Sequence, residues 1–264
     1  MDISAIENKF SEHTILYDDI MQAIEKAKIK IHFPISNKVL GDLSKRTEYI
    51  FKGMMDVARQ DNLYAAFILY RSLIEHFFKG MYIVDKMVSD MSDTTAENYQ
   101  KHYFLSEYLA EQAGVLEMED LINDSQSKTD FIKFITKKMP ELEGFDKANQ
   151  QEISAATKQF SLKEIVKHLH AKHKQRNSLA ANSYVVAQTL PEYSHVCTYT
   201  HGGSYASVLM EKFIRENDIH GQLTRILHIS LTTTCVTKEN FFMTYEIGAY
   251  FKDYLLSLQN IRKF

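Results

Sequence analysis

Arg71 and Glu75 stand four residues apart in the most apolar stretch of the chain, LYAAFILYRSLIEHFFKGMYIVDKM. On a helix that spacing turns them about 40° apart, so they share a face and can pair. Tyr64, Phe67, Phe78 and Tyr82 fall near the same face, which sets the pair among aromatic rings. A charged pair withdrawn from water needs further hydrogen bonds, so a third polar partner is expected. YSHVCTYTHGG can supply it: Tyr193, Cys197 and His201 recur at i, i+4 and i+8 and form one helical stripe. His201 falls in the last turn before Gly202 and Gly203, where the negative end of the helix dipole favours an imidazolium that can bind an anion, donate a proton or cap carbonyls. Without chemistry, the same residues make an ion pair that sets helix register and a histidine that caps a helix end.

A second feature is the basic segment KEIVKHLHAKHKQRN. Lys163, Lys167, Lys172, Lys174 and Arg176 face one acid, Glu164, and the set can follow a phosphate backbone. Its plainer reading is a solvated helix face. Of His168, His170 and His173, only the last two lie close on a helix, with no cysteine or carboxylate placed to complete a metal site. Neither a metal nor another cofactor is expected. A Gly-rich phosphate loop, HExxH and a nucleophile elbow are all missing from the sequence.

These residues must be held by helices. With 264 residues, 45% of them apolar, and only three prolines and nine glycines, the chain can bury a core but has few sites for the turns an all-β fold requires. The expected fold is an all-α multi-helix bundle, read as a single domain over 1–264. The net charge of −3 leaves nucleic-acid binding to local patches. Cys197 and Cys235 have no CxxC spacing, which suits a reducing cytoplasm. The amino-terminal residues do not read as a signal peptide, and no apolar run is long enough for a membrane span.

Helix signals divide the chain further. Ser4 to Glu7 has capping-box spacing before one helix, or two short ones interrupted near Thr14, reaching about Ile31, and Pro34 with Ser36 as cap begins the next helix, ending near Gln60. The apolar helix follows from Leu63 to about Met91. Thr94 and Glu97 suggest a capped helix ending at Gly114, with shorter helices to Lys138. Pro140 to Asp146 reads as the longest irregular connection, making 140–160 the place for a mobile joint. Ser161 and Glu164, with Phe160 as staple, open a helix extending to Gln188, and Thr189-Leu190-Pro191-Glu192 restarts one. Ser204 to Glu216 is helical, Asn217 and Asp218 turn, and a last long segment runs from Gln222, with its β-branched Leu231 to Thr237 as a kink or extended piece.

The Arg-Ser-x-x-Glu helix combined with the later Tyr-Ser-x-x-Cys-x-Tyr-x-His segment resembles a bacterial all-helical family related to the HEPN superfamily. The likeness covers roughly Ser36 to Met91 and Tyr184 to Ser207, with Cys197 where serine is usual. It implies a HEPN-like core with additional helices, a homodimer, and a metal-independent endoribonuclease acting on RNA in anti-phage defence or a toxin–antitoxin system. Arg71, Glu75, His76, Tyr193 and His201 would form the catalytic set. Arg71 to His76 matches the family's Arg-x4-His spacing, yet a regular helix sets those residues about 140° apart. Arg176-Asn177 with Asn182 repeats the Arg-Asn start but has no histidine. Two other readings stay open: a non-catalytic helical module that dimerises and holds a protein partner from a defence system, and a nucleotide or anion sensor.

Overall fold

The computed structural model describes residues 3–123, 130–175, 189, 191–193, 195–200, 203–246, 256–258 and 260. These form an all-α, multi-helix fold, with no named strand among the described residues. The first three helices are α1 (Ile3–Lys26), α2 (Pro34–Ala58) and α3 (Leu63–Asp90). α4 (Thr94–Asn98) runs through a π-helical turn, Tyr99–Tyr103, into α5 (Phe104–Ile122). Then follow α6 (Phe131–Lys138), α7 (Lys147–Thr157), α8 (Leu162–Gln175), α9 (Ser204–Arg215) and α10 (Ile219–Phe241).

α3 is the hub, packed against α2, α10 and α8, while α1 lies on α10. Its apolar residues occupy more than one face, as a helix enclosed by neighbours requires. Phe67, Tyr70, Leu73, Ile74, Phe77 and Phe78 are all fully buried, and truncating one of the phenylalanines to alanine costs about 3–5 kcal/mol. Asn62 caps the start by accepting from the Ala65 amide at 3.1 Å, and Met91 ends the helix in the left-handed conformation. Between these limits α3 is unbroken α-helix, so its side chains keep regular angular positions.

Several boundaries differ from the sequence expectation because partners distant in sequence decide them. Ser36 is not the cap of α2. The helix starts at Pro34, and Asp93 caps it from across the fold, accepting from the Ile35 amide (3.0 Å), the Ser36 amide (2.8 Å) and the Ser36 hydroxyl (2.5 Å). Ser4 lies inside α1 and Thr94 inside α4, so neither is a cap. Gly114 does not end a helix: a Cβ there would meet nothing, and α5 continues to Ile122. The 140–160 segment is regular over most of its length, with 3₁₀ turns at Pro140–Leu142 and Lys158–Phe160 flanking α7. Asp146 starts α7 through a reciprocal capping box with Asn149.

Thr232 to Thr237 neither kinks nor extends, because tertiary burial overrides β-branched propensity. Thr232, Thr233 and Thr237 donate their hydroxyls to carbonyls of the preceding turn. After Thr244 the chain leaves the helix and Tyr245 forms an isolated bridge with Ile31. The Ser161 start of α8 agrees with expectation: its hydroxyl meets the Glu164 amide at 3.4 Å and Phe160 is buried. The expected extension of that helix to Gln188 and the stop at Gly202 lie outside the described residues.

Candidate functional site

The helical residues 191–193 and 195–200 lie along α3. Tyr199 docks them: its ring stacks on Phe67 at 4.3 Å and 18°, and its carbonyl accepts the Tyr64 hydroxyl at 2.8 Å. Val196, fully buried on the same segment, joins the main core. This docking carries Tyr193 to the charged pair. Glu75 Oε1 accepts from Arg71 Nε at 3.1 Å and from the Tyr193 hydroxyl at 2.9 Å, and the guanidinium lies 5.9 Å from the Tyr193 ring centre.

The pair is not sealed inside the aromatic core. Arg71 and Glu75 retain 22% and 29% side-chain exposure, because their stripe runs along the margin of the buried face. Burial works against the Arg71 cation, but the Tyr193 hydroxyl and the Glu75 carboxylate outweigh it and raise its pKa. Burial also raises Tyr193, with contacts to Cys197 and Glu75 adding to the effect. Tyr193 is therefore a neutral donor that orients Glu75, which in turn holds a permanently charged guanidinium.

His76 is turned away from this cluster. Its Nδ1 lies 2.8 Å from the Ser72 carbonyl oxygen, which can only accept, so Nδ1 carries the proton and a neutral ring presents a bare Nε2. Burial lowers its pKa, and the charges of Lys79 and Arg46 push it further down. Arg71 and His76 thus occupy different sides of α3, as unbroken helical geometry dictates. His201 lies outside the described residues.

The basic stretch is only partly a solvated face. His168 Nε2 meets Asp85 Oδ2 at 2.6 Å, and Lys172 reaches Asp85 at 3.8 Å and donates to the Ser89 hydroxyl at 3.2 Å. Two residues one turn apart on α8 thereby clasp two residues one turn apart on α3. Lys167 is exposed but pairs with Glu164 at 2.8 Å, and Lys163 is exposed. The Lys174 side chain and Arg176 fall outside the described residues. Among the described residues no group of three or more His, Cys, Asp or Glu side chains is arranged to hold a metal.

Two features escaped sequence reasoning. The Arg71–Glu75 stripe continues to Lys79, whose ammonium donates to the Tyr103 hydroxyl at 2.7 Å beside a cavity of about 490 Å³. The i, i+4, i+8 spacing was available as a signal, but the π-helical turn that presents Tyr103 was not. Arg225 pairs with Glu192, and near these charges Tyr70 and Tyr199 bury hydroxyls that have no hydrogen-bond partner among the described residues. Nothing local in the sequence marks that pairing across 33 residues.

Fold and site together define an all-α protein with a tyrosine-braced arginine–glutamate pair on its central helix. A family model described as a family of unknown function (DUF5677) matches residues 37–221, and the chain belongs to that family. No curated protein and no solved structure matches the chain. Among the described residues no helix is long and apolar enough to cross a membrane.

Proposed function

We propose that this chain is an RNA-targeting protein of HEPN type, a metal-independent endoribonuclease effector of an anti-phage defence or toxin system, acting as a homodimer. The observation that carries the reading is the bracing of Arg71: Glu75 takes its Nε, Tyr193 holds Glu75, and the side chain stays partly open to solvent. A guanidinium so held is preorganised to stabilise charge on a phosphate. In the cleavage step a base removes the 2′-hydroxyl proton, the 2′-oxygen attacks phosphorus, and the 5′-oxygen leaves with a proton from an acid. The products are a 2′,3′-cyclic phosphate and a 5′-hydroxyl. Arg71 stabilises the pentavalent phosphorane, His76 Nε2 is the base, and His201 supplies the leaving-group proton.

Arg71 and His76 lie on different sides of an unbroken helix, so in this reading they meet on one RNA only across two copies of the chain. Exposed Lys163 and Lys167 would hold the flanking backbone. The test incubates labelled single-stranded and structured RNAs with the protein, with and without chelator, beside folded Arg71→Ala, His76→Ala and His201→Ala variants. Chelator-resistant cleavage lost in each variant is expected. Mixing the Arg71→Ala and His76→Ala proteins should restore about a quarter of wild-type activity, since half the dimers then contain one intact shared site. Unrestored activity refutes the shared site.

A second reading is favoured by the same bonds: Glu75 ties α3 to Tyr193 and its helical neighbours, as a structural clasp would, in a non-catalytic module that dimerises and holds a protein partner. Folded wild-type protein that leaves every RNA intact supports that reading over the nuclease.

A further inference from the structure

The cavity beside Lys79 lies between α3, the π-helical turn, the start of α5, the end of α7 and the first residues of α8. Its volume of about 490 Å³ is within the usual range for small-molecule sites, about 300–1,000 Å³. Lys79 and Lys158 supply two cations to its wall, Ser106 and Ser154 supply hydroxyls, and Tyr103 supplies a ring and a hydroxyl. Among the described residues Glu75 is its one acidic wall residue, and that carboxylate is already engaged by Arg71 and Tyr193.

Lys79 carries most of the argument. Its ammonium is drawn partly out of water, touching the Tyr103 hydroxyl at 2.7 Å and lying 4.5 Å from the ring centre. No carboxylate of the described residues lies within ion-pair range of it, and Lys158 likewise has no ion pair among them. A cation removed from water without a counter-ion is costly. Burial accordingly lowers the Lys79 pKa, and Glu107, which bonds the same Tyr103 hydroxyl, offsets part of the effect together with Glu75 without pairing directly with the ammonium. An anion in the cavity would reverse that cost. The amino-terminal end of α8 at Ser161 and Leu162 adds a favourable dipole to the same wall. Tyr103 is itself presented by a π-helical turn and stacked on Tyr99 at 4.9 Å and 10°; such turns are rare and concentrate at functional sites.

We infer that this cavity is a binding site for a small phosphomonoester of mononucleotide size, with its phosphate between Lys79 and Lys158. The site goes beyond the RNA reading and does not depend on it. Because Glu75 belongs both to the cavity wall and to the Arg71 cluster, an occupant touches the element that orients Arg71.

The experiment measures thermal unfolding and titration calorimetry with inorganic phosphate, adenosine 5′-monophosphate, adenosine and a 5′-phosphorylated RNA oligonucleotide, at constant ionic strength set by chloride. Phosphate and the mononucleotide should bind. At concentrations about 100-fold above Kd each should raise Tm by about 5 °C, and adenosine should not. Lys158→Ala, at an exposed position, should weaken mononucleotide binding about tenfold or more, and Lys79→Met should abolish it. If Lys79→Met fails to fold, Lys158→Ala decides alone. Equal binding of adenosine and its monophosphate, unchanged affinity in Lys158→Ala, or binding of RNA without binding of phosphate or mononucleotide each overturns the assignment. RNA cleavage is read separately, so loss of one conclusion leaves the other standing.

Discussion

Removing the Tyr193 hydroxyl should uncouple Arg71 from the rest of the fold, and the size of the effect can be worked from the contacts. Tyr193→Phe deletes one hydrogen bond of 2.9 Å to a carboxylate while leaving the ring in place. A hydrogen bond to a charged group contributes about 1.5–3 kcal/mol when well enclosed. Glu75 is 29% exposed, so water can replace part of the bond and about 1 kcal/mol is expected. Glu75→Ala removes that bond and the Arg71 contact at 3.1 Å together. Because Arg71 and Glu75 both reach water, their ion pair alone adds only about 0.2–1 kcal/mol. The Tyr193→Phe/Glu75→Ala double mutant should therefore be less destabilised than the sum of the single variants, with a coupling of about 1 kcal/mol. Urea unfolding of the four proteins measures it, and Tyr193→Phe alone should lower Tm by about 2–4 °C. Coupling below about 0.3 kcal/mol, the level of simple additivity, would refute the claim that Tyr193 braces the pair.

Three further outcomes are expected. Lys238 is 4% exposed, pairs with Glu48 at 3.0 Å and lies 4.8 Å from the Tyr17 ring centre; Glu48→Gln should cost about 3 kcal/mol by urea unfolding, and adding Lys238→Met should recover much of it. His76, His195 and His228 all have pKa values lowered first by burial, so between their folded values and about 6.5 the unfolded chain binds more protons. Their stabilisation is full above about pH 6.5 and is lost as pH falls through the folded values; a Tm unchanged between about pH 7 and pH 5 would contradict this. Tyr70 is fully buried and its hydroxyl has no partner among the described residues, so Tyr70→Phe should be neutral or stabilising by up to about 1 kcal/mol, and a clear loss of stability would reveal a partner for that hydroxyl.

Much of the helical plan was legible from local pattern. α3 runs from Leu63 to Asp90, within a residue of its expected limits, because its apolar run and the Asn62 cap are both written in neighbouring residues. The Arg71–Glu75 pairing was equally local, since a four-residue spacing on any α-helix brings two side chains to one face. Caps and interruptions were less legible. Asp93 lies 57 residues from Ser36 yet replaces it as the cap of α2, and no spacing rule reaches that far. The threonine-rich part of α10 stayed helical because its hydroxyls found carbonyls in a buried setting, which propensity alone does not anticipate.

By itself the sequence determined the helical class, the length of the central helix and the shared face of Arg71 and Glu75, all consequences of a 3.6-residue period acting over short range. Only the tertiary structure decided that Tyr193, 118 residues from Glu75, closes on that pair, and that Lys172 turns to Asp85 rather than outward. It alone opened the cavity between Lys79 and Lys158. Those contacts depend on how helices pack, and packing is set by the whole core at once, so no local stretch of residues specifies it.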